Sequence, residues 1–494
     1  MSKDTVARRS QLSPAKQALL DRRLGRTGAG GAAAGAAGRA GAPQSIPRRA
    51  PGAVVPLSFQ QQRLWRQFEA EGKPSFYNNS VRFRGRLDVS ALSRALNEIV
   101  RRHEVLRTTF KEAGGQIVQV VHPPTPSELA EEDWRGVPEA GREARVRAKA
   151  MEQAGPFDME RGPLFRASLL RLGEDEYVLI FTLLHIISDA WSINLLDHEL
   201  SILYGAYSGA RLPALPELPI DYSDYALWQR EALGGDALAP QVAYWKERLR
   251  GCPPILPLPT DVPRPPRQTF SAAYESTLLP AEGVEPLRAL ALREKATLFM
   301  TLLAALKVLL GALTGRDDVP VAMGVAGRQH IQTERLVGCF LNTLILRTDL
   351  GGDPTFAELL GRVRERCLGA MANQEVPFQM LVEELLPESD ERYPPLVQVS
   401  FSLRHVPPPE AAAASPLKAS LSLVDAGRAA FDLSLRVQDS ALGLDCTLEY
   451  NSDLFRPETV RRMLEGYVAL LLRVGSNPRV RLSELTPAAG HGGA

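Results

Sequence analysis

The sequence predicts an α/β chain of two lobes joined by a proline-dense connector, and three observations carry that reading. Runs with the length and the β-branched or aromatic content of strands alternate with segments whose apolar residues recur at helical spacing. The alternation stops at Cys252–Pro266, which is too rich in proline for helix or central strand, and resumes beyond it. At 494 residues the chain can hold two or three domain-sized units, and it shows no short-period repeat.

Residues 1–53 read as an N-terminal helix and linker. Leu12–Gly25 has Ser13 as cap, Pro14 at the first helical position, Gly25 at the end, and an apolar edge of Leu19, Leu20 and Leu24. Between Gly28 and Ala42 every residue except Arg39 is Gly or Ala, which leaves little to bury and suits a tether. The helix is either a frayed tail or a docking element for a partner. Residues 54–230 form the first lobe. There Ser80–Gly85 alternates with period two, and Asp88 caps a helix with Leu92, Ala95, Leu96, Ile99 and Val100 on one face. Glu176–Leu184 is long and apolar enough for a central strand, and it delivers the chain to His185. Residues 231–270 are the connector. Residues 271–486 form the second lobe, with an apolar helix over 296–313 and a strand over 319–324, and 487–494 are a tail.

Composition excludes several classes. Lys and Arg number 58 against 57 Asp and Glu, a net charge of +1, which argues against a dedicated nucleic-acid binder. Cys252, Cys339, Cys367 and Cys446 are scattered, fitting neither a zinc site nor a disulfide framework and pointing to a reducing, cytoplasmic setting. The N-terminus lacks a secretory apolar core, and the most apolar run, Leu298–Leu310, is too short to span a bilayer and carries Lys307. No nucleotide loop or metal-ligand cluster is present in the sequence, so no intrinsic cofactor is expected.

Among seven histidines, His185 stands apart because it closes an apolar strand, where clefts open, and is followed four residues later by Asp189. His-x-x-x-Asp alone is easily met by chance. Its company is more specific. Leu57–Trp65 (LSFQQQRLW), Arg102–Phe110 (RHEVLRTTF), Leu184–Ser192 (LHIISDAWS), Tyr222–Trp228 (YSDYALW), Val337–Arg347 (VGCFLNTLILR), Asn373–Gln379 (NQEVPFQ) and, more loosely, Arg392–Leu396 (RYPPL) follow in order. In order and spacing they resemble the motifs of condensation domains of nonribosomal peptide synthetases, over about Val54 to Leu485.

The resemblance implies two chloramphenicol-acetyltransferase-like lobes in a V-shaped pseudo-dimer with a central tunnel. Donor and acceptor peptidyl carrier proteins would load from opposite faces, each bringing its substrate on a phosphopantetheine arm. The acceptor amine would then attack the donor thioester to form an amide. Other synthetase modules would be further partners, docked through residues 12–25, and neither nucleic acid nor membrane is expected. His185 matches the second histidine of the signature His-His-x-x-x-Asp-Gly, which takes a proton from the attacking amine or orients it. Asp189 is structural in the family and pairs with an arginine of the other lobe. Arg328 is the first candidate for that arginine and Arg347 the second. Arg102 and Arg107 match scaffold arginines near the site, while His103 suits packing or a buried hydrogen bond. Trp191, Ser192 and Asn342 match tunnel positions. Tyr222, Asp224, Trp228, Asn373 and Phe378 match structural ones, and Phe431–Leu433 and Tyr450–Phe455 match segments that build sheet and helix in the second lobe.

Two residues depart from the signature at the tunnel. Leu184 replaces the first histidine and should point into packing, away from its neighbour. Ala190 replaces the glycine, and if that position needs positive φ it costs about 1 kcal/mol. A degenerate carrier-binding or recruiting domain, and an acyltransferase forming esters or acting on soluble nucleophiles, therefore stand as alternatives. The second motif and the opening motif resemble those of domains that take an L-configured donor.

Overall fold

The computed structural model describes residues 45–209, 215–234, 238–386, 390–405, 419–424 and 428–485. The helix expected over 12–25 and the Gly/Ala tether lie outside these residues. In the first half the elements are β1 (Val55–Pro56), α1 (Phe59–Glu71), β2 (Phe76–Arg84), α2 (Val89–Arg102), β3 (Thr108–Ala113), β4 (Gln116–Val121) and β5 (Ala130–Asp133). There follow α3 (Arg142–Gln153), β6 (Phe165–Arg171), β7 (Glu176–Leu184), α4 (Ala190–Tyr207), α5 (Tyr222–Ala232) and α6 (Ala239–Leu249). Ser58 and Gln61 cap α1 reciprocally, and the Asp88 side chain accepts from Ala91 N to start α2.

The second half runs β8 (Ala272–Pro280), α7 (Ala281–Arg293), α8 (Leu298–Thr314), β9 (Asp318–Val325), β10 (Asn342–Asp349), α9 (Phe356–Ala372) and α10 (Phe378–Leu385). It ends with β11 (Val399–His405), β12 (Ala419–Val424), β13 (Leu433–Ser440), β14 (Gly443–Asn451) and α11 (Pro457–Ser476). The apolar helix expected from residue 296 begins at Leu298 because the Thr297 hydroxyl accepts from Met300 N, which fixes the first turn there.

Two large sheets carry these elements. The first has the order β12-β2-β7-β6-β5, so the run read as a central strand, β7, lies in the middle and its residues are buried from Tyr177 to Leu184. The second has the order β10-β9-β11-β13-β14-β8. Strand β12 comes from the later half yet pairs antiparallel with β2, so the first sheet is completed by a late segment. Beneath the first sheet, α2 and α4 pack with Leu92, Ile99, Leu179, Phe181 and Leu196 in one apolar core. Val337, Cys339 and Phe340 of the second half join that same core. In the second core, the faces of α8, α9 and α11 close on the six-stranded sheet, together with Trp245 of α6 and with Leu256 and Leu258 of the connector.

Cys252–Pro266 forms neither helix nor strand. Prolines remove its ladder donors, and it is held by local backbone turns, by Asp261 N and Val262 N on Leu454 O, and by side chains. Leu256 N donates to Gln398 Oε1 at 2.8 Å, Gln398 Nε2 donates to Pro254 O at 3.0 Å, and Arg264 grips Asp432 at 2.6 and 3.0 Å. Among the described residues no single helix is long and apolar enough to cross a membrane.

Lys307 of α8 is fully buried, and its ammonium donates to Val319 O at 2.6 Å and Leu346 O at 2.5 Å, tying the helix to β9 and β10. Burial pushes its pKa down to about 7. The folded pKa thus lies below the unfolded one, so as pH falls from about 10.4 to 7 the unfolded chain gains a proton the folded chain lacks, and stability falls. Between pH 7 and 8.5 wild type is expected to gain about 1–2 kcal/mol from this group as pH rises. Lys307→Met should lack that increment, as read from urea unfolding midpoints at the two pH values.

Candidate active site

The apolar strand β7 fixes Leu184, and the chain then turns through one short 3₁₀ segment, His185–Ile187, before α4. The turn is tightly held. His185 N donates to Ser75 O at 2.8 Å, the Ser188 hydroxyl donates to Leu184 O at 3.0 Å, and His185 Nδ1 lies 2.8 Å from Ser188 O. A carbonyl oxygen only accepts, so Nδ1 carries the proton and Nε2 keeps its lone pair. The ring is half-buried. Burial, then the positive charge of Arg63, push its pKa below the usual histidine range, with the Ser188 carbonyl and Asp189 acting the other way. The imidazole is therefore a neutral base at neutral pH, held with its proton on Nδ1 and its lone pair on Nε2.

Asp189 ends the turn and caps α4. Its Oδ1 accepts from Ser192 N at 2.8 Å and from the Ser192 hydroxyl at 2.7 Å, and Oδ2 accepts from Phe340 N at 3.1 Å. Arg328 Nη2 lies 3.1 Å from Oδ1, with both side chains nearly fully buried. The guanidinium also donates to Thr333 O at 2.6 Å and Leu336 O at 2.7 Å and lies 4.0 Å above the Phe340 ring. One ion pair thus joins the head of α4 to two segments of the second half.

Two glycines allow this crossing. A Cβ on Gly327, at φ +65°, would lie 2.0 Å from Phe340 O, and one on Gly338 would lie 2.0 Å from the Tyr222 ring. Tyr222 Oη bonds Cys339 O at 2.6 Å and Ser58 Oγ at 2.8 Å, so three sequence motifs meet at one phenol.

Ser192 and Asn342, expected at the tunnel, are committed to structural bonds, and the other residues read for the site take several places. Leu184 is fully buried in the first core. Ser192 is also fully buried, its hydroxyl consumed by Asp189 and Gly338 N at 3.0 Å. Asn342 donates to Gln374 O and Val376 O and accepts from Phe378 N, so it clamps the loop after α9 and has no free amide group for substrate. Arg102 pairs with Glu199 at 3.2 Å, beside His103 at 2.8 Å from the same carboxylate, and Arg107 donates to His122 O. These are tethers within the first half, with no partner at His185. Arg347 holds Asp318 instead of Asp189. Ala190 opens α4 without positive φ, so the expected strain does not arise. Trp191 is half-exposed, its indole N–H on Glu334 O at 3.0 Å.

Three neighbours of His185 were not singled out by sequence reading. Tyr77 Oη stands 3.4 Å from Nε2. Cys339 Sγ is 3.9 Å from Nδ1, and burial pushes its thiol up to about 12, so it is not a nucleophile. Arg63 pairs with no carboxylate among the described residues and has its own pKa lowered by burial. Arg63 and Cys339 sit inside motifs already quoted, but only the fold shows that they face His185. Among the described residues no cluster of His, Cys, Asp or Glu could hold a metal.

Residues 52–489 match the family model described as "Condensation domain". The chain belongs to the condensation domains. In nonribosomal peptide synthetases these domains are peptide-bond-forming acyltransferases, and their chloramphenicol-acetyltransferase-like fold is the one described above. The chain is 46% identical over 429 residues to one of the linear gramicidin synthase proteins of Brevibacillus parabrevis, covering 86% of this chain and 6% of that one. It is 37% identical over 491 residues to phosphinothricin tripeptide synthetase PhsC of Streptomyces viridochromogenes, covering 98% of this chain and 44% of that one. Both relatives are thus much longer than this chain. In a solved complex of the X-domain and OxyB from teicoplanin biosynthesis, the match is 28% identical with a TM-score of 0.79, covering 91% of this chain and 99% of that one.

Within this condensation domain, Leu184 is a packing residue. Leu184→His would place an imidazole among apolar side chains and is expected to cost about 1–3 kcal/mol of stability without adding activity. Denaturant midpoints and turnover of the same preparation check this together; a faster enzyme of unchanged stability refutes it.

Proposed function

We propose that this condensation domain forms an amide between a donor acyl or peptidyl thioester and an acceptor aminoacyl thioester. Each is borne on the phosphopantetheine arm of a partner carrier protein, and His185 serves as the acting base. The supporting observation is the Nδ1–H bond to Ser188 O, which leaves the Nε2 lone pair for the amine. The amine nitrogen bonds the thioester carbonyl carbon while the C=O electron pair moves to oxygen, and an amine proton passes to Nε2. The carbonyl then re-forms, the C–S bond breaks, and the proton on Nε2 goes to the departing thiolate, restoring neutral imidazole. Asp189 and Arg328 hold the turn that aims the ring, and Ala190 and Trp191, at the exposed head of α4, line the approach. No bound cofactor enters this scheme, since the arms arrive with the carriers.

Because the His185 pKa is lowered, its neutral form persists through pH 6.5, and the rate controlled by this group should be level from pH 7 upward. The test presents the domain with a donor-loaded and an acceptor-loaded carrier and follows the acceptor arm by intact mass spectrometry. Amide product that disappears with His185→Ala supports the reading, and the absence of product across several cognate pairs overturns it. The likeness to an X-domain solved with OxyB favours recruitment as the second reading. Binding of a tailoring enzyme by a domain that makes no product would establish it. Residues 12–25, the suggested docking element for other modules, lie outside the described residues.

A further inference from the structure

We propose that Tyr77 is a positioning residue for the condensation step, its hydroxyl occupying the lone pair of His185 Nε2 until the acceptor amine displaces it. The inference rests on the amide-forming reading and adds a residue that none of the seven motifs contains.

Strand pairing sets the geometry. Tyr77 of β2 lies opposite Leu183 of β7, two residues before His185, so the tyrosine and histidine side chains meet where the strand gives way to the turn. The rings pack edge to face, with centroids 4.8 Å apart and planes at 64°. Oη stands 3.4 Å from Nε2. Nδ1 is committed as a donor to Ser188 O, so Nε2 can only accept, and the tyrosine must be the donor. Among the described residues Nε2 is the only hydrogen-bond partner of the Tyr77 hydroxyl.

The hydroxyl keeps its proton. Burial raises the phenol pKa, and the neighbouring Asp189 and Cys339 raise it further against the opposing charges of Arg63 and Arg436. A separation of 3.4 Å exceeds the usual span of about 2.7–3.0 Å, so the bond is weak enough for an incoming amine to replace. The edge contact keeps the ring plane fixed, and the hydroxyl holds the Nε2 lone pair. The charged or titratable groups facing the imidazole are Arg63 from α1, Tyr77 from β2, Asp189 from the head of α4, and Cys339 from the segment before β10. Only the Tyr77 hydroxyl reaches Nε2.

Imidazolium has no lone pair, so donation from Tyr77 favours neutral His185 alone. Tyr77→Phe keeps the ring contact and removes that donor. The expected result is a melting temperature near wild type, a His185 pKa several tenths of a pH unit higher, and an acid limb of the kcat/KM pH profile displaced upward by the same amount. The pKa is read in the free protein by imidazole ¹H–¹⁵N spectra, with His185→Ala assigning the resonance. An unmoved titration in a folded Tyr77→Phe protein overturns the proposal, as does an unmoved acid limb. The wild-type spectra are a second check that needs no variant, because a proton found on Nε2 in place of Nδ1 also overturns it. Absence of product from wild type would instead overturn the amide-forming reading, while the titration still decides whether Tyr77 engages Nε2.

Discussion

His185→Ala is expected to lower the rate of amide formation by roughly 10²–10⁴-fold, the usual contribution of one positioned base. That range corresponds to about 3–5 kcal/mol of barrier. The loss should fall on kcat, since the imidazole meets the amine only as it becomes charged and does little to hold either carrier. Stability should change little by comparison: the ring is half-buried, and its one short bond, to Ser188 O, is worth about 1 kcal/mol. Intact-mass time courses at saturating carrier read the rate, and a urea titration of the same variant reads the fold. Product at an undiminished rate would mean that orientation of the two substrates suffices without the base.

The largest effect on stability is expected at the Asp189–Arg328 pair. Asp189→Ala removes the carboxylate that balances a deeply buried guanidinium, removes the cap of α4, and leaves Phe340 N without its acceptor. Breaking a buried pair from one side typically costs about 3–5 kcal/mol, and a lost cap contributes about 1 kcal/mol of such a sum. Arg328→Ala should cost less. It leaves a carboxylate that still accepts from Ser192 N, the Ser192 hydroxyl and Phe340 N, three donors that solvate its charge. The ordering of the two variants, read from midpoints at constant m-value, is the sharper part of the prediction. Equal midpoints for wild type and Asp189→Ala would show that the pair is held by its surroundings and contributes nothing itself. Activity should fall in both variants, because the pair anchors the turn that aims His185.

Much of this site is legible along the chain because local rules govern it. A nine-residue run rich in apolar residues specifies β7, and its end places His185 at a strand terminus. The alternation of elements around a proline-dense connector predicts the α/β character, and ordered motifs predict the family. Arg328, picked out 139 residues away from Asp189, is reachable only through the family resemblance, since nothing local to either residue requires the other.

Other features depend on contacts between distant segments, and the tertiary structure alone decides them. The amide of Asn342 turns toward the loop after α9, and the hydroxyl of Ser192 is consumed by Asp189 and Gly338. Both are polar groups inside a protein, so a partner had to be found, and nearby backbone supplied it. Ala190 escapes the strain anticipated from the signature because its backbone simply begins a helix. Tyr77, Arg63 and Cys339 reach His185 from a strand, a helix and a loop far apart in sequence. Sequence by itself determined the strand that presents the base and the family. The tertiary structure decided which side chains surround the base and which are consumed in holding it, because charge, burial and hydrogen-bond satisfaction are settled only where separate segments meet.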